Sequence, residues 1–219
     1  MIALYSNTLE DPGVIASDEI GDSQLKFLEA ALQRVKKEKY DGALVFAHHH
    51  PAYTLGSMHG WSIAMQAQID KICADLGVWP HAVLSGHAHN YQRFTRGHGD
   101  MQIPYIIAGN GGHAVARLKR SKTAGGAPAK SAPSDKSEGE SVYESPYRAP
   151  TVIQAADHGK DLVQLENYDD QDFGYLRVVV TDTQLRIEYH PATDGAAAKT
   201  PDDIVAVNLK TRKLAAPEP

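Results

Sequence analysis

Ala43-Leu44-Val45-Phe46-Ala47-His48-His49-His50-Pro51 is the stretch that decides the fold. Its first five residues form a continuous apolar run without polar alternation. Such a run fits a strand covered on both faces, as in a layered α/β protein. Three histidines and a proline follow at once. Pro51 stiffens the turn and restricts His50 toward extended backbone.

The pattern recurs. Ala82-Val83-Leu84-Ser85 is a second short buried strand, and Gly86-His87-Ala88-His89 follows it directly. In open α/β sheets ligand sites lie off the carboxyl ends of the strands. Two histidine clusters at two such ends can therefore meet in one crevice.

Working outward, residues 2–6 read as a strand, and Asp11-Pro12-Gly13 as a turn. Leu25, Leu28, Leu32 and Val35 lie on one face at helical spacing, behind a cap at Asp22 or Ser23, with Lys36 and Lys37 in the last turn. Met65, Ile69, Ile72 and Leu76 mark a second helix over 64–76, ended by Gly77. Residues 103–108 form a strand running into Gly109-Asn110-Gly111-Gly112. Residues 174–180 and 184–189 read as strands joined by a tight turn, and 203–209 as a last strand. The tail beyond Lys213 reads as loose. Between these, 119–150 is rich in Ser, Ala, Gly, Pro, Lys and Glu and reads as a flexible surface insertion. The order of elements is strand–helix–strand–helix–strand–strand, then antiparallel strands, which implies a layered α/β architecture. One domain over 1–219 is the expectation for 219 residues.

Composition narrows the function classes. A net charge of −5 with no long basic run argues against a nucleic-acid-binding surface. No apolar run approaches the roughly 20 residues that a membrane span needs. The N-terminus has neither the basic start nor the apolar stretch of a signal peptide. The single cysteine, Cys73, lies in the second helical pattern and reads as a small buried residue.

The chain holds 11 histidines, and their clustering carries the chemistry. Imidazole is a common ligand for zinc, iron and related metals. A His-x-His turn aims two rings at neighbouring points, and Gly86 lets the backbone bend sharply beside them. A lone histidine is usually a satisfied polar residue. Two clusters, each directly after a buried strand, point instead to a metal site.

With these residues in view, the sequence resembles the C-terminal half of a calcineurin-like metallophosphoesterase, nearest to the purple acid phosphatases. Phe46 to Tyr53, Ser85 to Arg93 and Ile106 to Gly112 carry the resemblance, with support from Ser23 to Leu28 and Asp172 to Leu176. The resemblance implies a layered α/β/β/α sandwich, represented here by its C-terminal half. It implies that His49 and His87 share one metal, that His89 serves a second, and that His59, ten residues after His49, faces the substrate phosphate as a proton donor. His48 and His50 read as supports, and Tyr91 and Arg93 either as residues that back the metal ligands or as packing residues. The family hydrolyses phosphate esters with two ions, zinc, manganese or iron, about 3.5–4 Å apart, that acidify a water and clamp the phosphate.

The family takes its other ligands from an N-terminal half, as Asp-x-His, Gly-Asp-x-x-Asp or Tyr, and Gly-Asn-His-Glu or Asp. None of these occurs here. Gly21-Asp22 sits at a helix start, and Gly99-Asp100 and Gly109-Asn110 come after the Gly-His-x-His loop. The expectation is a fragment, a truncated reading frame or one piece of a split protein; the complete family site holds two ions, and this chain one or none. Its partners would be a phosphate-ester substrate and either a second copy or the missing half, which would cover an exposed apolar edge. The complete protein could be exported. The alternative reading is a non-catalytic metal-binding or interaction module derived from the same fold.

Overall fold

A computed structural model describes residues 1–8, 13–55, 60–118, 151–154 (backbone only), 159–192 and 200–218. The 119–150 insertion and His59 lie outside the described residues.

The chain begins with β1 (Ile2–Leu4), α1 (Ser23–Lys37), β2 (Val45–His48), α2 (Ile63–Leu76) and β3 (Ala82–Ser85). Then come β4 (Tyr91–His98), β5 (Met101–Ala108), β6 (Thr151–Gln154) and β7 (Lys160–Asp169). The last strands are β8 (Gly174–Val180), β9 (Gln184–Pro191), β10 (Asp203–Asn208) and β11 (Leu214–Ala215). A seven-stranded sheet has the order β1-β2-β3-β5-β4-β7-β6. Its first four strands are parallel, and β4, β7 and β6 continue it antiparallel. The second sheet, β11-β10-β9-β8, is antiparallel throughout.

Successive side chains of a strand point to opposite faces, so the apolar run of β2 is shared between two cores. Leu44 and Phe46 join Leu28 and Leu32 of α1 and Met65, Ile69 and Cys73 of α2 in the first core. Val45 joins Ala82, Ile106, Leu185, Ile187 and Tyr189 in the second, between the two sheets. The result is a helix layer, a mixed sheet and an antiparallel sheet, which meets the layered α/β expectation. Leu28 and Leu32 are fully buried, and each contributes roughly 1.5–3 kcal/mol relative to exposure. No helix among the described residues is long and apolar enough to cross a membrane.

Asp22 is the N-cap of α1, but its carboxylate bonds Lys26 at 2.9 Å instead of the helix N–H groups. Ser62 caps α2 by accepting from Met65 N–H, which starts the helix at Ile63. Gly77 closes it in the left-handed region at φ 66°.

Three features differ from expectation. Tyr91 to His98, assigned no element from the sequence, is an eight-residue strand. Residues 151–154 and 160–169 add two strands not anticipated. The tail is not loose: β11 pairs with β10, and Gln184 Nε2 donates to Ala216 O at 2.8 Å.

Candidate metal centre

Parallel strands place their carboxyl ends side by side. β1, β2, β3 and β5 thus deliver Ser6, His49-His50, Gly86 to His89 and Gly109-Asn110 to one edge of the sheet. Gly86 N–H donates to His49 O at 3.0 Å and ties the two histidine loops together.

The tie brings three rings into a cluster. The ligand atoms of His49, His50 and His87 lie within 4.8 Å of one another. His49 Nε2 and His87 Nδ1 are 3.0 Å apart, and the rings of His50 and His87 are 4.2 Å apart, centre to centre. His49 is exposed, His87 half-buried and His50 buried, so the group opens to solvent on one side.

The donor set fits an ion. With metal–nitrogen bonds of about 2.0–2.1 Å, neighbouring nitrogens on one metal stand about 2.9 Å apart at a right angle and about 3.3 Å at a tetrahedral angle. The 3.0 Å separation of His49 and His87 falls in that interval.

His87 takes the left-handed conformation at φ 62°. The sharp bend was expected at Gly86, and the structure puts it one residue later, on a histidine. A non-glycine residue there is sterically costly and is a recurrent mark of functional loops. Gly109 is needed for contact. A Cβ on it would overlap Ala88 O, so only glycine lets β5 end beneath the histidine loop.

Around the cluster, His50 is held most firmly. Its backbone N–H donates to Ser6 Oγ at 3.0 Å, and its Nδ1 is 3.0 Å from the same oxygen. Gly13, at φ 91°, lies against its ring so closely that a Cβ would overlap it. His48, the last residue of β2, turns back, and its Nδ1–H donates to His50 O at 2.6 Å. Burial lowers the His48 pKa to about 4 and keeps the ring neutral.

The other anticipated residues separate. His89 stands apart from the three-histidine group, its ring 4.4 Å from that of His113. Tyr91 and Arg93 face the second sheet. Both hydrogen-bond Asp203, Tyr91 Oη at 2.6 Å and Arg93 through Nε and Nη2 at 2.6 and 3.0 Å. Tyr91 also stacks on Tyr189 at 3.9 Å. Burial opposes ionisation of Asp203, yet the bonds from Arg93 and Tyr91 hold its carboxyl below the usual range.

Ser6 was missed, and His113 was noted after the glycine turn but not taken as a site residue. The signal for Ser6 was its place, two residues after the end of the first strand, where a parallel neighbour of β2 must meet the histidine loop. His113 directly follows the glycine turn after β5.

No protein-family model and no curated protein matches the sequence. Among solved structures, the chain is similar to GAP50, the anchor in the inner membrane complex of Plasmodium, at 13% identity and a TM-score of 0.50. The match covers 91% of this chain and 47% of that one. A structure of PhoD matches at 13% identity and a TM-score of 0.46, over 90% of this chain and 34% of the other. The chain thus spans about half the length, or less, of the structures it matches. The likeness is one of fold alone, a layered α/β architecture shared with GAP50.

Proposed function

We propose that this chain is the histidine-bearing part of a metal-dependent phosphoester hydrolase. The observation that supports the reading is the group of His49, His50 and His87 at the carboxyl edge, with two nitrogens at the spacing of neighbouring ligands on one ion. His49 and His87 hold the first ion. His89, beside His113, serves a second, and His59 gives a proton to the leaving group. His50 is fixed by Ser6 next to the first ion and orients the site. When bound, the metal supplies Lewis acidity to the phosphoryl group and acidifies a water. The protein's own part is to fix nitrogen ligands on a rigid sheet edge and leave one side open to substrate.

A second reading is favoured by one observation. The three-residue group contains no aspartate or glutamate among the described residues, and paired ions need a bridging carboxylate. On that reading the chain binds one ion and hydrolyses nothing.

Metal analysis with an aryl phosphate assay separates the two. Turnover lost on chelation and restored by zinc, manganese or iron supports the hydrolase. One ion per chain without turnover supports the binding module. Unchanged metal content in His49→Ala and His87→Ala overturns both.

A further inference from the structure

A cavity lies at the edge of the main sheet opposite the histidines, where β2 and β3 begin. Its volume is about 260 Å3, just below the range of roughly 300–1,000 Å3 typical of small-molecule sites. Trp79, Val78, Leu44 and Met101 form its apolar wall, and Lys36, Lys39 and Arg212 its polar one. Among the described residues no aspartate or glutamate lines it, in a chain whose net charge is −5.

Arg212 is anomalous among the buried and part-buried arginines of the main sheet region. Arg93 and Arg96 are each paired with carboxylates. Arg212 has no ion pair among the described residues. Its Nη2 donates to the carbonyls of Trp79 and Pro80, both at 2.6 Å, and its Nε reaches Met101 sulfur at 3.1 Å. Its Nη1 is 3.4 Å from His81 Nε2. That nitrogen is a poor acceptor, because His81 Nδ1 accepts from Leu44 N–H and its Nε2–H donates to Leu209 O. Burial lowers the His81 pKa to about 4, so His81 is neutral and adds no charge.

Backbone conformation singles out the same place. Among the described residues, three non-glycine residues have positive φ: Lys39 at 50°, His87 at 62° and Arg212 at 59°. One belongs to the histidine cluster, and the other two line this cavity. Residues held in that conformation gather at functional sites.

Two helices end nearby, and their carbonyl ends carry about half a negative charge each. Lys36 Nζ offsets one of them by donating to Leu76 O at 2.6 Å. Three cations against about one unit of partial negative charge leave the cavity clearly positive.

We propose that this cavity binds a small organic anion, its charged head between Lys39 and Arg212 and its apolar body against Trp79. Neither the metal nor the histidine loops take part.

Benzenesulfonate is a suitable probe, used on metal-free protein. The chain has two tryptophans, so Trp61→Phe leaves Trp79 as the reporter. Saturable quenching of Trp79, weakened by salt, is the expected result. Lys39→Gln, at an exposed position, should weaken binding about five-fold, the scale of one exposed ion pair. Arg212→Lys keeps the charge but loses the planar fork, and should weaken it about ten-fold. Equal binding of uncharged benzenesulfonamide overturns the proposal. So does the absence of saturable quenching, or affinity unchanged in both variants.

Discussion

Around Arg96, each charge faces an opposite charge. Arg96 is fully buried, with Nε 2.5 Å from Asp161 and Nη1 2.8 Å from Asp70. Its Nη2 is 2.8 Å from Asp70 Oδ2, close enough for an ion pair though not aligned as a hydrogen bond. Tyr105, Gln66 and His98 bond the same carboxylates and guanidinium. At the carboxyl edge, by contrast, His49, His50 and His87 bring nitrogen to nitrogen, with no carboxylate in the group. Complementary charges close a network on itself and glue strand to helix. At the solvent-open edge the gathered side chains are instead all nitrogen ligands within reach of one ion. Buried polarity alone does not mark a site; a set of like ligands is what makes the histidine group a candidate.

Arg96→Met is the strongest attempt to break the contrast. It strands Asp70 and Asp161 in the interior, and loss of one partner of a buried pair costs about 3–5 kcal/mol. Denaturant unfolding should show a loss of that size, while folded protein keeps its metal affinity. A fall in metal affinity with no fall in stability would erase the distinction.

The next test uses pH. The His81 pKa falls from 6.5 to about 4 when the ring is buried. The unfolded chain therefore takes up a proton that the folded chain refuses as pH falls from 6.5 toward 4. Stability is complete above 6.5, declines through that window and levels off below it. His81 alone accounts for roughly 3 kcal/mol at most. Its ring resonances should not titrate above pH 5 in the folded protein, and a midpoint near 6.5 would contradict its burial as a neutral group.

Gly109→Ala comes third. The new methyl must push Ala88 aside, with an expected cost of about 1–3 kcal/mol and a clear drop in metal affinity. Gly111→Ala is the control, since its Cβ would sit 3.8 Å from Gly174 O. Equal metal affinity in the two variants would show that the histidine loop does not depend on β5. The smallest effect belongs to Ser6→Ala. Ser6 bonds a histidine beside the ion and not a ligand, so metal binding should weaken only a few-fold, about 3-fold, below the 10–100-fold typical of a lost bond to a ligand itself. Calorimetric titration measures it, with the melting point of metal-free protein as the control.

Much of the first core and of the histidine loops was legible, because those signals are local. The Leu28/Leu32 stripe, the apolar run into His48 and the break at Gly77 each lie within a few residues. What stayed hidden depends on distant partners. β4 carries Arg93 and Arg96, which do not read as a buried strand. They are buried because Asp203 and Asp161, 110 and 65 residues away, come to meet them. The grip of Ser6 on His50 spans 44 residues and exists only because β1 pairs with β2 in register. The same holds for β11, whose pairing is set by a turn and not by its own two residues.

The connection from β3 to β4 has one more consequence. In the sheet β5 lies between those two strands, so residues 86–90 must step over its end. The step is two strand spacings, about 10 Å, and the six Cα–Cα links from Ser85 to Tyr91 reach at most about 20 Å. The bend at His87 takes up the slack, and Gly109 fills the space below. A residue inserted or deleted there would rotate His89 relative to His87 and shift β4 off its pairing with β5. The sheet therefore constrains the number of residues between Ser85 and Tyr91 as tightly as the site constrains which of them are histidines.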